Sequence, residues 1–267
     1  MAPTARELAR QAVTADILAA ARTRLTDEGP AALSLRAVAR DVGLVSSAVY
    51  RYFPSRDDLL TALLITDYDE LGAAVEAADA AAGPDAGARW VAMCRAIRGW
   101  SVAHPGDFAL LFGSPVPGYA APRETVVPAT RTTLALVRVV ADAVGSGASG
   151  ASGASGASGA SGAPGAPGAS GAPAPVTAGR PGSPAAPTSA PGAAGPAVAD
   201  AVATLRSFGV TLPDEVLVRT LMAWTTVFGT ISFELFGHFV GSVSDPAAYF
   251  DQVIVRLADD LGFTATF

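Results

Sequence analysis

The stretch AVARDVGLVSSAVYRYFPSRDDLL, Ala37 to Leu60, decides the fold. Just ahead of it and into it, Leu35, Val38, Ala39 and Val42 repeat at i, i+3, i+4 and i+7, the spacing of one helical face. Ser34 stands at the N-cap of this short helix, where Leu33 can staple onto Val38. Gly43, at ease with positive φ, supplies a tight turn, and a third helix is expected from about Val45 to Phe53 before Pro54 prevents continuation. Helix, glycine turn and helix at this spacing is a helix-turn-helix. On the third helix Val45, Val49 and Phe53 are expected to point inward, leaving Ser46, Ser47, Tyr50 and Arg51 outward. Small hydroxyls approach base edges closely, Tyr50, Tyr52 and Arg51 can donate to phosphates, and Arg51 can reach guanine. Ser55-Arg56-Asp57-Asp58 reads as a capping box opening a long fourth helix, with Arg56 as a further phosphate contact. The expected DNA-contact set is Ser34, Ser46, Ser47, Ala48, Tyr50, Arg51, Tyr52 and Arg56.

Working outward, Ile17, Leu18, Ala21 and Leu25 mark one face of a first helix from about Thr14 to Glu28, ended by Gly29-Pro30. Residues 1–13 are expected as a flexible arm and residues 14–60 as the helix-turn-helix unit. No run of alternating β-branched residues makes a strand, so the fold class is all-α. The chain carries a net charge of −6, but residues 1–60 sum to +1 and residues 61–267 to −7. Contact with nucleic acid must therefore come from a local patch. All 18 basic residues are Arg, which excludes the GxxxxGK phosphate loop and Schiff-base chemistry at Lys. One cysteine, Cys94, and two separated histidines give no disulfide and no zinc spacing. No cofactor, metal or enzymatic activity is expected, since no titratable groups converge at motif spacing. The first residues lack an apolar leader core, and Leu221 to Val240 is interrupted by Glu234 and His238, so a cytoplasmic chain without a membrane partner is expected.

Residues 145–197 are almost wholly Gly, Ala, Ser and Pro, including six Ser-Gly-Ala triplets from Ser146 to Ala163. With no apolar side chains to offset about 1–2 kcal/mol of backbone entropy per residue, a disordered linker is expected. Gly145-Ser-Gly147-Ala-Ser-Gly150 fits the GxGxxG dinucleotide pattern, but it opens a repeat rather than following a strand. Glycine at every third residue to Gly171 imitates collagen without the proline content of a triple helix.

The stretch Ile17 to Leu60 closely resembles the DNA-binding domain of the tetracycline-repressor (TetR) family of bacterial regulators. Gly43, Tyr50, Tyr52, Phe53, Ser55 and Arg56 meet its pattern in order, while Val45 stands where many members carry a capping Ser or Thr. More loosely, WSVAHPGDFALLFGSP (Trp100 to Pro115) and AWTTVFGTISFELFGHF (Ala223 to Phe239) resemble the carboxy-terminal domain of the subgroup named for its Trp-His-Gly motif. There Trp224 and Gly229 match and Phe228 replaces the histidine. The resemblance implies a homodimer on a palindromic double-stranded operator, released by a small-molecule effector. A small-molecule-binding helical protein that has lost DNA binding is the alternative.

Residues 61–144 and 198–267 are then the ligand-binding and dimerisation domain. Met93, Ile97, Trp100, Phe108, Phe112, Trp224 and Phe228 are the expected ligand-lining set. Glu234, in an apolar stretch, needs a partner if buried, and His104 before Pro105 reads as a helix end. Final helices are expected at about Pro213 to His238 and Pro246 to Leu261, two from each subunit making a four-helix interface. The fourth helix, expected over Arg56 to Ala82, links the two domains and is the element expected to pivot.

Overall fold

The computed structural model describes residues 4–152 and 198–267, which form helices and connecting loops with no strand among them. Helix α1 spans Ala5–Glu28 and so begins well before Thr14. The cause is a capping box: the Thr4 hydroxyl accepts from the Glu7 N–H at 3.3 Å while the Glu7 carboxylate accepts from the Thr4 N–H at 2.6 Å. From residue 4 onward, the expected flexible arm is the first turns of α1. Its end falls as read, at Gly29 with φ 77° followed by Pro30.

Helix α2, Leu35–Asp41, turns through Gly43 (φ 68°) into α3, Ser46–Val49. The third helix is thus a single turn rather than Val45 to Phe53. Beyond it the chain tightens, with the Arg51 N–H bonding the Ala48 carbonyl and the Tyr52 N–H that of Val49. Pro54 disfavours helical geometry at Phe53, which accounts for the early unwinding. Val45 is the N-cap, in extended geometry and 70% exposed, so it does not share the inward face of Val49 and Phe53. Ala48 takes that place and is buried.

Helix α4, Arg56–Ala81, runs through both cores. Its Leu59, Leu60, Leu63 and Leu64 join Ile17, Ala21, Leu25, Val38, Val49 and Phe53 in the first, while Leu71 and Val75 join the second. The amino-terminal core therefore extends past residue 60. The second core is built by α5 (Ala86–Ala103), α6 (Pro105–Phe112), α7 (Val126–Ser152), α8 (Ala199–Ser207), α9 (Asp214–Leu235) and α10 (Pro246–Leu261). His104 closes α5 and opens α6, with its Nδ1 2.9 Å from the Trp100 carbonyl oxygen. Helix α9 is long and apolar enough to cross a membrane by composition, but packs against α5, α6, α7, α8 and α10 and buries Leu217, Ala223, Val227, Phe228 and Ile231.

Residues 145–152, expected to open the linker, are the last turns of α7. The Gly145 to Gly150 match lies within that helix, which removes the strand-to-helix turn that a dinucleotide site requires. Residues 153–197, the rest of the expected linker, lie outside the described residues, as do residues 1–3.

The two cores meet where α6 crosses α1. A Cβ on Gly106 would stand 2.6 Å from the Thr26 N and Oγ1 atoms, so only glycine permits this approach. Leu110 of α6 is buried in the amino-terminal core, whereas Phe108, two residues earlier, is buried in the other.

Candidate nucleic-acid interface and ligand cavities

Two arginines frame the helix-turn-helix from within. Arg24 of α1 grips Asp41 at the end of α2 through Nε at 2.5 Å and Nη2 at 3.0 Å, holding that carboxyl below the usual range. Arg56 donates to the carbonyls of Leu33 (3.0 Å), Pro30 (2.9 Å) and Ala31 (3.2 Å). Its guanidinium closes the 3-10 turn Pro30–Ala32 against the start of α4, so it serves the frame rather than the expected phosphate contact. Ser55 caps α4, its hydroxyl oxygen accepting from the Asp58 N–H at 3.1 Å, but the expected box is not closed, since the Asp58 carboxylate accepts from the Ser55 hydroxyl instead of its N–H. Ser34 occupies the N-cap of α2 in extended geometry, but its hydroxyl makes no capping bond and is exposed.

Fixed on this frame, Ser46, Ser47, Tyr50 and Arg51 are exposed together on α3 and the turn after it, and Tyr52 is half-buried. Ala48 is buried beneath them and leaves the contact set. Four further arginines of this unit, outside the expected contact set, are exposed as well. Arg36 and Arg40 stand one turn apart on the exposed face of α2. Arg10 places its guanidinium carbon 5.7 Å from the centroid of the Tyr52 ring, a cation–π distance. Arg6, Arg10, Arg51 and Tyr52 line one concavity of about 360 Å³. The outward pair on α2 was legible in the complement of its apolar stripe. Arg6 and Arg10 required reading Thr4-x-x-Glu7 as a helix start. The result is a basic surface on an acidic chain, with hydroxyls and a phenol at its centre, the composition that phosphate and base-edge contacts require.

In the second core the expected ligand-lining residues mostly touch one another. Met93, Ile97, Trp100, Phe108 and Phe228 are buried, as is Cys94, whose thiol burial pushes far up. An aromatic row runs Trp224, Phe228, Phe112, Phe108, with successive ring centroids 5.2, 4.4 and 5.2 Å apart. Of the seven, Phe112 lines a cavity of about 710 Å³ and Trp224 one of about 230 Å³. The larger lies between Gly29 to Ala31 of the amino-terminal unit, the 113–117 loop, Phe233 of α9 and Phe236 just after it. The smaller is walled by Leu134, Leu205, Phe208 and Leu221. An apolar opening thus adjoins the row at Trp224, its one end, and another at Phe112 within it. Glu234 is answered by Arg98, at 2.8 and 2.5 Å in a bidentate pair, and so belongs to the framework of α5 and α9.

Comparison with known proteins agrees with this anatomy. Residues 17–63 match the family of bacterial regulatory proteins called the tetR family, and residues 90–257 match the tetracyclin repressor-like C-terminal domain. The chain is 34% identical over 249 residues to the HTH-type transcriptional regulator Rv1816 of Mycobacterium tuberculosis, covering 91% of this chain and 89% of the relative. It is 43% identical over 82 residues to the HTH-type transcriptional repressor LfrR of Mycolicibacterium smegmatis, covering 31% of this chain and 42% of the relative. Among solved structures, SCO4313 superposes with a TM-score of 0.68 at 27% identity, over 97% of this chain and 100% of the other. The chain belongs to the tetR family of bacterial transcriptional regulators, and its helix-turn-helix is the DNA-binding element.

Proposed function

We propose that this protein is a cytoplasmic, homodimeric repressor that occupies a palindromic operator and leaves it when a small apolar or amphipathic ligand enters the carboxy-terminal domain. The observation that carries the reading is the convergence of Ser46, Ser47, Tyr50 and Arg51 on one exposed surface of a unit whose other exposed arginines, Arg6, Arg10, Arg36 and Arg40, form no salt bridge among the described residues. One recognition turn makes few contacts, so two copies held about 34–36 Å apart are needed to read successive major grooves. The exposed side of α9 and α10, with Met222, Phe233 and Tyr249, supports pairing of two copies there. The openings beside Trp224 and Phe112 are where an apolar ligand would gain the core.

The test is fluorescence anisotropy with labelled DNA from the region beside the protein's own gene, at several salt concentrations. Saturable, salt-sensitive binding that outcompetes random DNA is expected, with loss of about a hundredfold or more in the Tyr50→Ala/Arg51→Ala double variant. Equal affinity for random DNA, or an unchanged double variant, would overturn the reading.

A further inference from the structure

At the crossing of α1, α4 and α6, three carboxylates surround one guanidinium. Arg22 of α1 reaches Asp67 through Nη2 at 2.5 Å and Nε at 3.1 Å. The same side chain lies 2.9 Å from Glu70, also on α4, and 3.5 Å from Asp107 at the start of α6. Asp67 is fully buried and Asp107 nearly so, whereas Glu70 is half exposed and can be met by water. Arg22 has too few donors in the right places to satisfy both aspartates: among the described residues, Asp67 Oδ2 and Asp107 Oδ1 are buried without a hydrogen-bond partner. A buried, unpaired carboxylate oxygen is costly when charged and tolerable when protonated.

The location gives the cluster its interest. Arg22 lies one helical turn from Thr26, the residue against which Gly106 is pressed, and Asp107 directly follows Gly106. Asp67 lies on α4 between the leucines that enter the amino-terminal core and the Leu71 and Val75 that enter the other. Any rotation of the DNA-binding unit against the second domain must therefore shear this cluster.

We propose that Arg22, Asp67 and Asp107 form a proton-linked joint between the two domains, in which the packed arrangement holds one proton on the aspartate pair and movement of α1 against α4 and α6 releases it. Operator affinity then responds to pH as it would to an effector, because a proton bound more tightly in one arrangement biases the equilibrium between the two. The inference rests on the operator-binding reading for its consequence, though not for the protonation itself.

The surrounding charges fix the sign. Burial, and then the neighbouring Asp107, push Asp67 up to about 7, with Arg22 opposing and Glu70 adding to the rise. Asp107 is likewise raised by burial, against the pull of Arg22 and His104, with Glu70 again raising it. A carboxyl whose pKa is raised by packing binds its proton between its ordinary value and the raised one, so the packed joint is favoured by acid and weakened as pH rises through about 7.

Two measurements on the full chain separate this inference from the operator reading. In the first, carboxyl-carbon NMR follows Asp67 and Asp107 from pH 4 to 9 without DNA, with assignments from Asp67→Asn and Asp107→Asn. One of the pair titrating between about pH 6 and 8 is expected, and both titrating below 5 would overturn the joint whatever the DNA result. In the second, operator affinity is measured from pH 6 to 8. Wild type should change by about fivefold or more, within the usual range of allosteric coupling, while Asp67→Asn, which mimics the protonated state, flattens the profile. A profile equally steep in Asp67→Asn and Asp107→Asn would overturn the inference, and absence of operator binding at every pH would count against the DNA reading alone. If Asp67→Asn fails to fold, Asp107→Asn carries the same comparison.

Discussion

In the second domain, Arg89, Arg95, Arg98, Arg131, Arg206 and Arg219 each meet a carboxylate within salt-bridge distance, while the exposed Arg123, Arg138 and Arg256 meet none at that distance among the described residues. On the DNA-binding unit, Arg6, Arg10, Arg36, Arg40 and Arg51 meet none among the described residues. The residue type is the same, so the difference is one of placement. A guanidinium bound to a carboxylate has its charge cancelled and its donors spent, and works as a clamp between helices. Five guanidinium groups outside any salt bridge on one small domain contribute little to folding. They make sense as a surface held ready for a polyanion. Arg22, Arg24 and Arg56 show that the division follows the direction each side chain faces rather than the domain itself, since all three turn inward and all three are satisfied.

The comparison breaks most visibly under the same substitution made in both places. Replacing Arg36, Arg40 and Arg51 together by Ala should lower operator affinity on the order of a thousandfold in a dimer, since each contact counts twice, and should flatten the dependence on salt. Thermal stability should move by no more than about 0.5 kcal/mol, because these side chains hold nothing in place. A variant that binds as wild type, or one that melts early, would show that the surface is structural after all.

Arg98→Ala should do the reverse. It leaves Glu234, whose side chain is 14% exposed, facing an apolar neighbourhood without its bidentate partner. Because solvent still reaches the pair, a loss of about 2 kcal/mol in unfolding free energy is expected rather than the larger cost of a fully buried charge. Operator affinity of the folded fraction should be unchanged at low temperature. Adding Glu234→Gln should restore part of the stability, and a double variant no better than the single would argue that Arg98 acts through packing alone.

The sequence announced the helix-turn-helix because its signals are local: a stripe at i, i+3, i+4 and i+7, a glycine that must turn, and a proline that must stop. The same locality placed α10 at Pro246–Leu261 and α4 at Arg56–Ala81 within a residue of expectation. Errors arose where a local pattern gave way to tertiary geometry. Arg56 looked like a phosphate ligand because it follows a capping box, yet three carbonyls far back in the chain claim it. Ala48 and Val45 exchanged roles because α3 starts one residue later than its apolar period suggests. The ligand-lining set was read from aromatic residues at helical spacing, a pattern that a packed core and a cavity wall share, and most of that set is packed. The Arg22 cluster was invisible for a different reason. It joins positions 45 and 85 residues apart in sequence, with no spacing rule to relate them.

The smallest expected effect lies in the contrast between capped and uncapped helices. Asp85 and Asp245 cap α5 and α10 with side-chain oxygens, accepting from the N–H groups of Ala88 and Ala248 at 2.7 and 3.0 Å. Neither α2 nor α3 of the helix-turn-helix has such a bond. Val45 already has the extended backbone of an N-cap (φ −66°, ψ 143°) and its side chain is exposed, so Val45→Ser adds an acceptor without removing a packed group. The serine oxygen would reach the N–H of Ser47 or Ala48, and a gain of about 1 kcal/mol is expected in chemical unfolding. Val45→Ala is the control, since it trims the exposed valine without supplying an oxygen and should show no such gain. If Ser and Ala variants are equally stable, the turn at Ser46–Val49 is held by its packing through Ala48 and Val49 alone. If only Ser stabilises, the recognition element is limited by its own local cost of forming, which is the cost that the capped helices of the second domain have already offset.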